Sequence, residues 1–315
     1  MQITLVASLV VITTICQIAP AWALDKIRVA TSSPSVGSFP YFLAHRKSFY
    51  QNEGIDAEII FVRANIAITA LVTDQVDFVT FFGSTLRASL RGLPVKNVMV
   101  VMTGADHYLV TRPEIRGWND FRGKKIAISS PGTTTEVEVK AALKTAGFQS
   151  GDVSLLSFGG QETRMAALES RAVDATVLDS VRAAFMTRRG FRGLANLGEI
   201  TKTPFMGLGV SDKKIRSNPD VIRRVVRGTA RAVRFIKDNP GEAQKDMDQL
   251  LNIRDAEVAR KIYQLVVDSY NNRILSDGVM QAAVDEERAQ LGLQRIPQLP
   301  DVIDWSFLRN FDERR

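Results

Sequence analysis

Cysteine and histidine are almost absent from the 315-residue sequence, which contains one cysteine and two histidines. The cysteine, Cys16, lies in an N-terminal segment that we expect to be removed. The mature chain is therefore predicted to have no thiol, no disulfide and no thiolate metal site. The histidines, His45 and His107, are far apart in the sequence. We accordingly expect neither a transition-metal site nor a cofactor.

Charged residues are also absent from the start of the sequence, where none precedes Asp25. Residues 5–18 are mainly apolar, and residues 21–23 have the small-x-small pattern that signal peptidase cleaves. We predict a signal peptide at residues 1–23, cleaved after Ala23, and a mature protein in the periplasm. A retained membrane anchor would need about 20 apolar residues, whereas polar residues interrupt this segment. A lipid anchor on Cys16 is disfavoured because a bulky residue precedes it.

Acidic residues are outnumbered by basic ones, 34 to 41, which gives a formal net charge of +7. The basic residues are spread along the chain, with a mild concentration on one face of a predicted helix at Arg223, Arg224, Arg227, Arg231 and Arg234. A solvated helix face explains such a concentration more often than a nucleic-acid-binding surface does. We predict no nucleic-acid partner, and the charge weakly favours an anionic ligand.

Short apolar runs alternate with amphipathic segments from Lys26 to Val210. This alternation predicts strands and helices in turn, and hence α/β units with a parallel sheet. From Pro219 to Leu291 only helices are predicted. Because these helices have no sheet of their own to cover, we expect them to pack against the first part of the chain.

One unit of the sequence occurs twice. Ala70-Leu71 followed by Val76-Asp77 and an apolar run recurs as Ala167-Leu168 followed by Val173-Asp174, with a constant offset of 174 − 77 = 97 residues. Each copy leads from a helix through an acidic residue into a buried strand, so the two halves share one plan. We predict one lobe from residues 24–108 and 203–315, and a second lobe from residues 109–202.

The segment Asp120–Phe148 predicts a strand, a glycine-containing turn and a helix in succession. The turn, Ser130-Pro131-Gly132-Thr133-Thr134-Thr135, places hydroxyl groups and backbone N–H groups at the positive end of the helix. Such a turn can bind a small anion. The alternative is a capping box, in which Thr133 with Glu136, or Thr135 with Glu138, satisfies the first N–H groups of the helix.

Several further motifs are informative as a set. Gly83-Ser84 opens a predicted helix that ends in Arg91-Gly92-Leu93-Pro94-Val95, Asp120–Ala127 precedes the threonine-rich turn, and Asp304–Phe307 lies near the C-terminus. Together with the signal peptide and the repeated unit, this set resembles the periplasmic solute-binding proteins of the nitrate, sulfonate and taurine class of ABC importers. The resemblance covers residues 25–311.

The resemblance implies a type II periplasmic-binding-protein fold, in which two α/β lobes joined by a hinge close on a ligand cleft. It further implies a monomer that binds a small-molecule solute and delivers it to the membrane permease of an ABC importer, without catalysing a reaction. Ligands of open α/β sheets lie beyond the carboxyl ends of the strands. By that rule we predict twelve ligand-binding residues: Ser32, Ser33, Phe39, Phe82, Gly83, Ser84, Thr85, Ser130, Gly132, Thr133, Thr134 and Asp179.

Each of these residues also has an ordinary structural explanation. Ser84 and Asp179 are suitable helix N-caps, and Phe39 and Phe82 are suitable core residues. Asp106 and His107 are adjacent, but neighbours in a strand face opposite sides and no Gly-x-Ser-x-Gly motif accompanies them. We therefore expect a structural or crossover role for His107.

The ligand is predicted to be a small organic anion, such as a sulfonate, a taurine-like compound or a carboxylate. Hydroxyl-rich loops and a positive net charge favour an anion, and Phe39, Phe82 and Phe205 suggest an apolar wall. Asp179 could instead bind a ligand amine. The competing functions are a thiamine-pyrimidine-synthase-like enzyme or pyrimidine-precursor binder, a nitrate-binding protein, and the extracellular sensor of a signalling receptor.

Overall fold

The computed structural model describes residues 23–200, 203–294 and 297–309. All but the last residue of the predicted signal peptide lies outside these ranges, and so does most of its cleavage motif. Within the described ranges, no helix is both long and apolar enough to cross a membrane.

The first sheet has five strands in the order β2-β1-β3-β10-β4. They are β1 (Asp25–Thr31), β2 (Ile55–Phe61), β3 (Phe78–Phe81), β4 (Val95–Met102) and β10 (Met206–Ser211). β1 pairs in parallel with β2 and β3, whereas β10 is antiparallel to both β3 and β4. The prediction of a parallel sheet is therefore wrong for β10, because this strand returns from the second sheet and enters in the opposite direction.

The second sheet has the order β7-β6-β8-β5-β9. Its strands are β5 (Tyr108–Thr111), β6 (Lys125–Ile128), β7 (Ser154–Ser157), β8 (Ala175–Leu178) and β9 (Arg192–Asn196). β6 pairs in parallel with β7 and β8, and β5 is antiparallel to β8 and β9. This sheet is also mixed, and its strand β5 was not predicted from the sequence.

The 97-residue repeat has a structural counterpart in the register of the two sheets. Val29 pairs with Phe78 in the first sheet, and Ile126 pairs with Ala175 in the second, each residue displaced by 97 positions. The acidic residue of each copy has the same role. The Asp77 carboxylate accepts from the Arg28 amide, and the Asp174 carboxylate accepts from the Lys125 amide, both at 2.8 Å.

The described helices cover the faces of the two sheets. In chain order they are α1 (Phe39–Arg46), α2 (Ala64–Val72), α3 (Phe82–Leu90), α4 (Thr134–Thr145), α5 (Gln161–Glu169), α6 (Ser180–Arg188), α7 (Asp212–Ser217), α8 (Pro219–Asp238), α9 (Pro240–Leu251), α10 (Ala256–Val267), α11 (Asp277–Leu291) and α12 (Leu299–Val302). Short 3₁₀ turns lie at Gln51–Glu53, Trp118–Phe121, Leu197–Glu199 and Trp305–Phe307.

The C-terminal helices pack mainly on the first sheet. The buried face of α8, including Val225, Val226 and Val233, lies in one hydrophobic core with Val29 of β1 and Met99 of β4. α11 packs on α3 in a second cluster. Burial of this apolar surface is the main favourable term that holds the late helices against the earlier strands.

The chain passes between the sheets at residues 103–107 and again at residues 197–205. Two such connections are the usual place for hinge motion in proteins that close around a ligand. The strands of the first sheet lie within 25–102 and 206–211, and those of the second within 108–196. The lobe boundaries themselves, 24–108 with 203–315 and 109–202, stay a prediction.

Candidate functional site

A cleft that is partly open to solvent lies between the two sheets. Its walls come from the loops after β1, β2, β3, β6, β7 and β8, and from both connections between the sheets. Six of the predicted ligand-binding residues line it: Ser32, Ser33, Ser84, Thr133, Thr134 and Asp179. The carboxyl ends of the strands thus place these polar side chains around one space.

The other six predicted residues are not among those that line the cleft. Phe39 and Phe82 are fully buried in hydrophobic cores. The Thr85 hydroxyl donates to the Phe81 carbonyl within α3 at 2.9 Å. Helix α3 begins at Phe82, one residue before the predicted start at Gly83-Ser84. Phe81, the last residue of β3, lines the cleft, because neighbouring residues of a strand point in different directions.

The other three residues that are absent from the cleft lining are Ser130, Gly132 and Gly83. The Ser130 side chain is buried and donates to the Ser129 carbonyl at 2.7 Å. Gly132 lies behind the cleft wall, where its carbonyl accepts from Arg87 Nε at 3.1 Å. Gly83 packs against the side chains of Arg87 and Thr134.

Hydroxyl groups of the threonine-rich turn form a network at the start of α4. Thr133 Oγ1 donates to the Ser130 carbonyl at 2.6 Å and accepts from Ser129 Oγ at 3.0 Å. The Thr133 side chain, at the N-cap position, makes no hydrogen bond to the helix backbone. The proposed capping box of Thr133 and Glu136 is not formed, since the Glu136 carboxylate accepts from the amide of Gly132, one residue before the N-cap, at 2.6 Å. The first N–H groups of α4 therefore lack a side-chain cap beside the cleft.

Arg164 is the one buried arginine in the wall of the cleft among the described residues, and sequence reasoning missed it. It lies in the first half of α5, and its side chain is almost fully buried, with 3% of the residue exposed. Its Nε and Nη1 atoms have no hydrogen-bond partner in the described part of the chain. Burial lowers the pKa of the guanidinium to about 10, and attraction to Asp179 offsets only part of this effect.

The carboxylate of Asp179 is already occupied. It accepts from Gln161 Nε2 at 2.9 Å, from Arg182 Nη1 at 2.7 Å and from the Arg182 amide at 2.9 Å. Asp179 is thus the N-cap of α6, and it also lines the cleft.

Aromatic side chains form the apolar part of the cleft. Phe61, Phe81 and Phe205 line it, and Phe61 is 56% exposed. The ring of Phe205 meets the ring of His107 edge-on, with the centroids 4.7 Å apart. Of these, only Phe205 was identified from the sequence. The same rule that selected the hydroxyl residues, position at a strand end, would have found Phe61 and Phe81.

Asp106 and His107 also line the cleft, on the first connection between the sheets. They have different partners: the Asp106 carboxylate accepts from the amide and hydroxyl of Ser180 at 2.9 and 2.8 Å, whereas His107 Nδ1 pairs with Glu138 Oε2 at 2.6 Å. Burial raises the pKa of Asp106 to about 6, with repulsion from Asp179 as a second cause. Asp106 and His107 therefore do not pair with one another, and the carboxylate partner of His107 is Glu138.

The sequence of the chain matches a known protein family. Residues 36–243 match the sequence model of the family described as NMT1/THI5 like. The chain belongs to the NMT1/THI5-like family. The chain is 24% identical over 292 residues to the riboflavin-binding protein RibY of Chloroflexus aurantiacus, a match that covers 87% of this chain and 83% of RibY.

Two solved structures have a similar fold. A protein from Bordetella bronchiseptica RB50 has a TM-score of 0.78 and 19% identity, with coverage of 92% of this chain and 97% of that one. The alkanesulfonate-binding protein SsuA of Xanthomonas axonopodis pv. citri, bound to MOPS, has a TM-score of 0.73 and 19% identity, with coverage of 89% and 98%. The predicted fold class, a periplasmic-binding-protein fold of two α/β lobes, is confirmed.

Proposed function

We propose that this member of the NMT1/THI5-like family is the periplasmic substrate-binding component of an ABC importer, and that its cleft captures a small organic anion. The observation that carries the choice of ligand is Arg164, whose buried Nε and Nη1 atoms face no acceptor of the described chain. A buried cation with free donors is costly unless an anion binds it. A sulfonate or carboxylate group would accept a charge-assisted hydrogen bond from this guanidinium.

The neighbouring groups support an anion at this position. Thr133 and Thr134 line the same cleft at the uncapped start of α4, where the helix dipole favours negative charge. The acidic residues of the cleft have their own partners, because Asp179 is paired with Arg182, and Asp106 accepts from Ser180. Arg164 is thus the group that most needs a counter-ion.

The aromatic wall of the cleft favours an organic anion over nitrate, because nitrate has no apolar body for the wall to contact. Phe61, Phe81 and Phe205 would contact the apolar body of the ligand while Arg164 holds its acidic group. The chain would then act by binding alone and deliver its solute to a membrane permease, with no reaction of its own.

A second candidate is a neutral heterocycle such as riboflavin, since the relative RibY is named as a riboflavin-binding protein. The three phenylalanine rings and the edge-on His107 would suit a flat aromatic ligand. In that case Arg164 would donate to a ring carbonyl instead of an acidic group.

A thermal-shift screen separates the two candidates. Protein purified from the periplasm, and refolded to remove any retained solute, would be heated with MOPS, taurine, benzoate, nitrate, riboflavin, an aminopyrimidine or the cation choline. A ligand at 100 times its Kd adds about 2.7 kcal/mol to the free energy of unfolding. We expect a sulfonate or carboxylate to raise the Tm most. Stabilisation by riboflavin alone would favour the second candidate, and stabilisation only by cationic compounds would refute both.

A further inference from the structure

Arg87 is a buried arginine behind the cleft that touches both halves of the molecule. It lies on α3 and is 2% exposed. On the side of the first sheet, its Nη1 pairs with Glu287 of α11, and its Nη2 donates to Ser84 Oγ at 3.3 Å. On the side of the second sheet, its Nε donates to the Gly132 carbonyl at 3.1 Å, and its Nη2 donates to Thr134 Oγ1 at 3.3 Å.

Two of these four partners line the cleft, one from each half. Ser84 lies in the first turn of α3, and Thr134 is the first residue of α4. One planar guanidinium thus fixes the spacing between a hydroxyl of the first half and a hydroxyl of the second. The fork geometry of arginine suits this task, because its donors point in fixed directions.

The ion pair with Glu287 allows the contacts of Arg87 with the second half to break without leaving the charge of Arg87 unpaired. Both charges of the Arg87–Glu287 pair are buried, and both residues belong to elements packed on the first sheet. If the halves separate, Arg87 loses the Gly132 carbonyl and the Thr134 hydroxyl but keeps its counter-charge. Separation therefore leaves no buried charge unpaired, which would otherwise be strongly unfavourable.

We propose that Arg87 is a positioning residue that latches the closed cleft and sets the distance between Ser84 and Thr134. The proposal rests on the proposed function only in taking the cleft as the binding site. A substitution at Arg87 should therefore shift the molecule toward an open conformation even when no solute is present. A purely structural role would lower stability without changing the distance between the halves.

The test measures the distance between the two halves in solute-free protein. In the mature protein, spin labels on Ile66→Cys of α2 and Thr145→Cys of α4 report this distance by double electron–electron resonance, since the one native cysteine, Cys16, lies in the predicted signal peptide. Arg87→Lys keeps a positive charge near Glu287 but cannot reproduce the fork. We expect the parent protein to populate the short distance of the closed cleft, and Arg87→Lys to lose at least half of that population.

Two further variants keep the test decisive. Glu287→Gln removes the ion pair and leaves the donors to Gly132 and Thr134 in place, so its distances should match those of the parent. The double variant Arg87→Met/Glu287→Met removes both buried charges together, which cores often tolerate, and should open the cleft while circular dichroism shows a folded protein. Unchanged distances in folded Arg87→Lys and in the double variant, or no short-distance population in the parent, would overturn the proposal. None of these outcomes depends on which solute binds.

Discussion

Replacement of Arg164 by methionine should make the solute-free protein more stable and its ligand binding weaker. Methionine keeps much of the length of the side chain and its apolar contacts but removes the charge. In the folded protein this charge is buried, and its Nε and Nη1 atoms have no hydrogen-bond partner in the described chain. A group retained at a cost to stability is characteristic of a functional site.

The size of both effects follows from the environment of Arg164. Its pKa falls from 12.5 to about 10 on folding, and each pKa unit corresponds to about 1.4 kcal/mol, so the charge costs about 3 kcal/mol. Because the folded pKa is the lower one, this cost is fully present at every pH below about 10. Loss of one partner from a buried, hydrogen-bonded charge pair weakens binding by roughly 2–5 kcal/mol, which raises the Kd at least about 30-fold.

Chemical denaturation of the solute-free protein and calorimetric titration with the best anion from the screen would measure the two effects. Arg192→Met is the matched control, because it removes the same charge from an exposed position on β9. We expect the control to change neither quantity by more than about 0.5 kcal/mol. If Arg164→Met destabilised the free protein, or bound the anion as tightly as the parent, the assignment of Arg164 as the anion-binding group would be wrong.

Three further predictions concern other parts of the chain. The folded pKa of Asp106 is about 6 against an ordinary 3.8, so ionisation of this carboxyl group alone costs about 3 kcal/mol of stability as pH rises from about 4 to 6. In urea titrations, the stability of Asp106→Asn relative to the parent should therefore be greater at pH 7 than at pH 4 by about this amount, and an equal difference at both pH values would contradict the cause given. Gly207→Ala should destabilise the protein by about 2 kcal/mol or more, because the new Cβ would lie 2.3 Å from the Met99 carbonyl oxygen. The control is Gly241→Ala, whose Cβ meets open space, and equal Tm values for the two variants would refute the clash. Intact-mass measurement of periplasmic protein should give a chain that starts at Leu24, and a mass that includes residues 1–23 would disprove the predicted cleavage.

Local sequence patterns were sufficient for most elements of the fold. The apolar run at Phe78 and the repeated Val-Asp units predicted buried strands, and the structure gives them equivalent registers in the two sheets. These features depend on residues close together in the chain, through hydrophobic periodicity and turn chemistry. The C-terminal helices were also predicted from local patterns, and their apolar faces indicated that they must pack on a sheet formed earlier in the chain.

Only part of the candidate site could be predicted from the sequence. Position after a strand identified Ser32, Ser84 and Thr133 as residues near the cleft, but it could not resolve which of two neighbouring phenylalanines faces it. Phe81 rather than Phe82 does so, because the exact start of α3 fixes the direction of each side chain. Sequence boundaries with errors of a few residues cannot decide such a question.

The sequence by itself determined the elements, their repetition and the hydroxyl-rich turn, since these follow from local backbone preferences and apolar spacing. The tertiary structure alone decided the antiparallel insertion of β10 and the pairing of Arg87 with Glu287, which is 200 residues further along the chain. Only the tertiary structure shows that Arg164 is buried and that two of its donors have no acceptor among the described residues. Burial and pairing of charges depend on which distant segments meet, and that is set by packing of the whole core rather than by any local pattern.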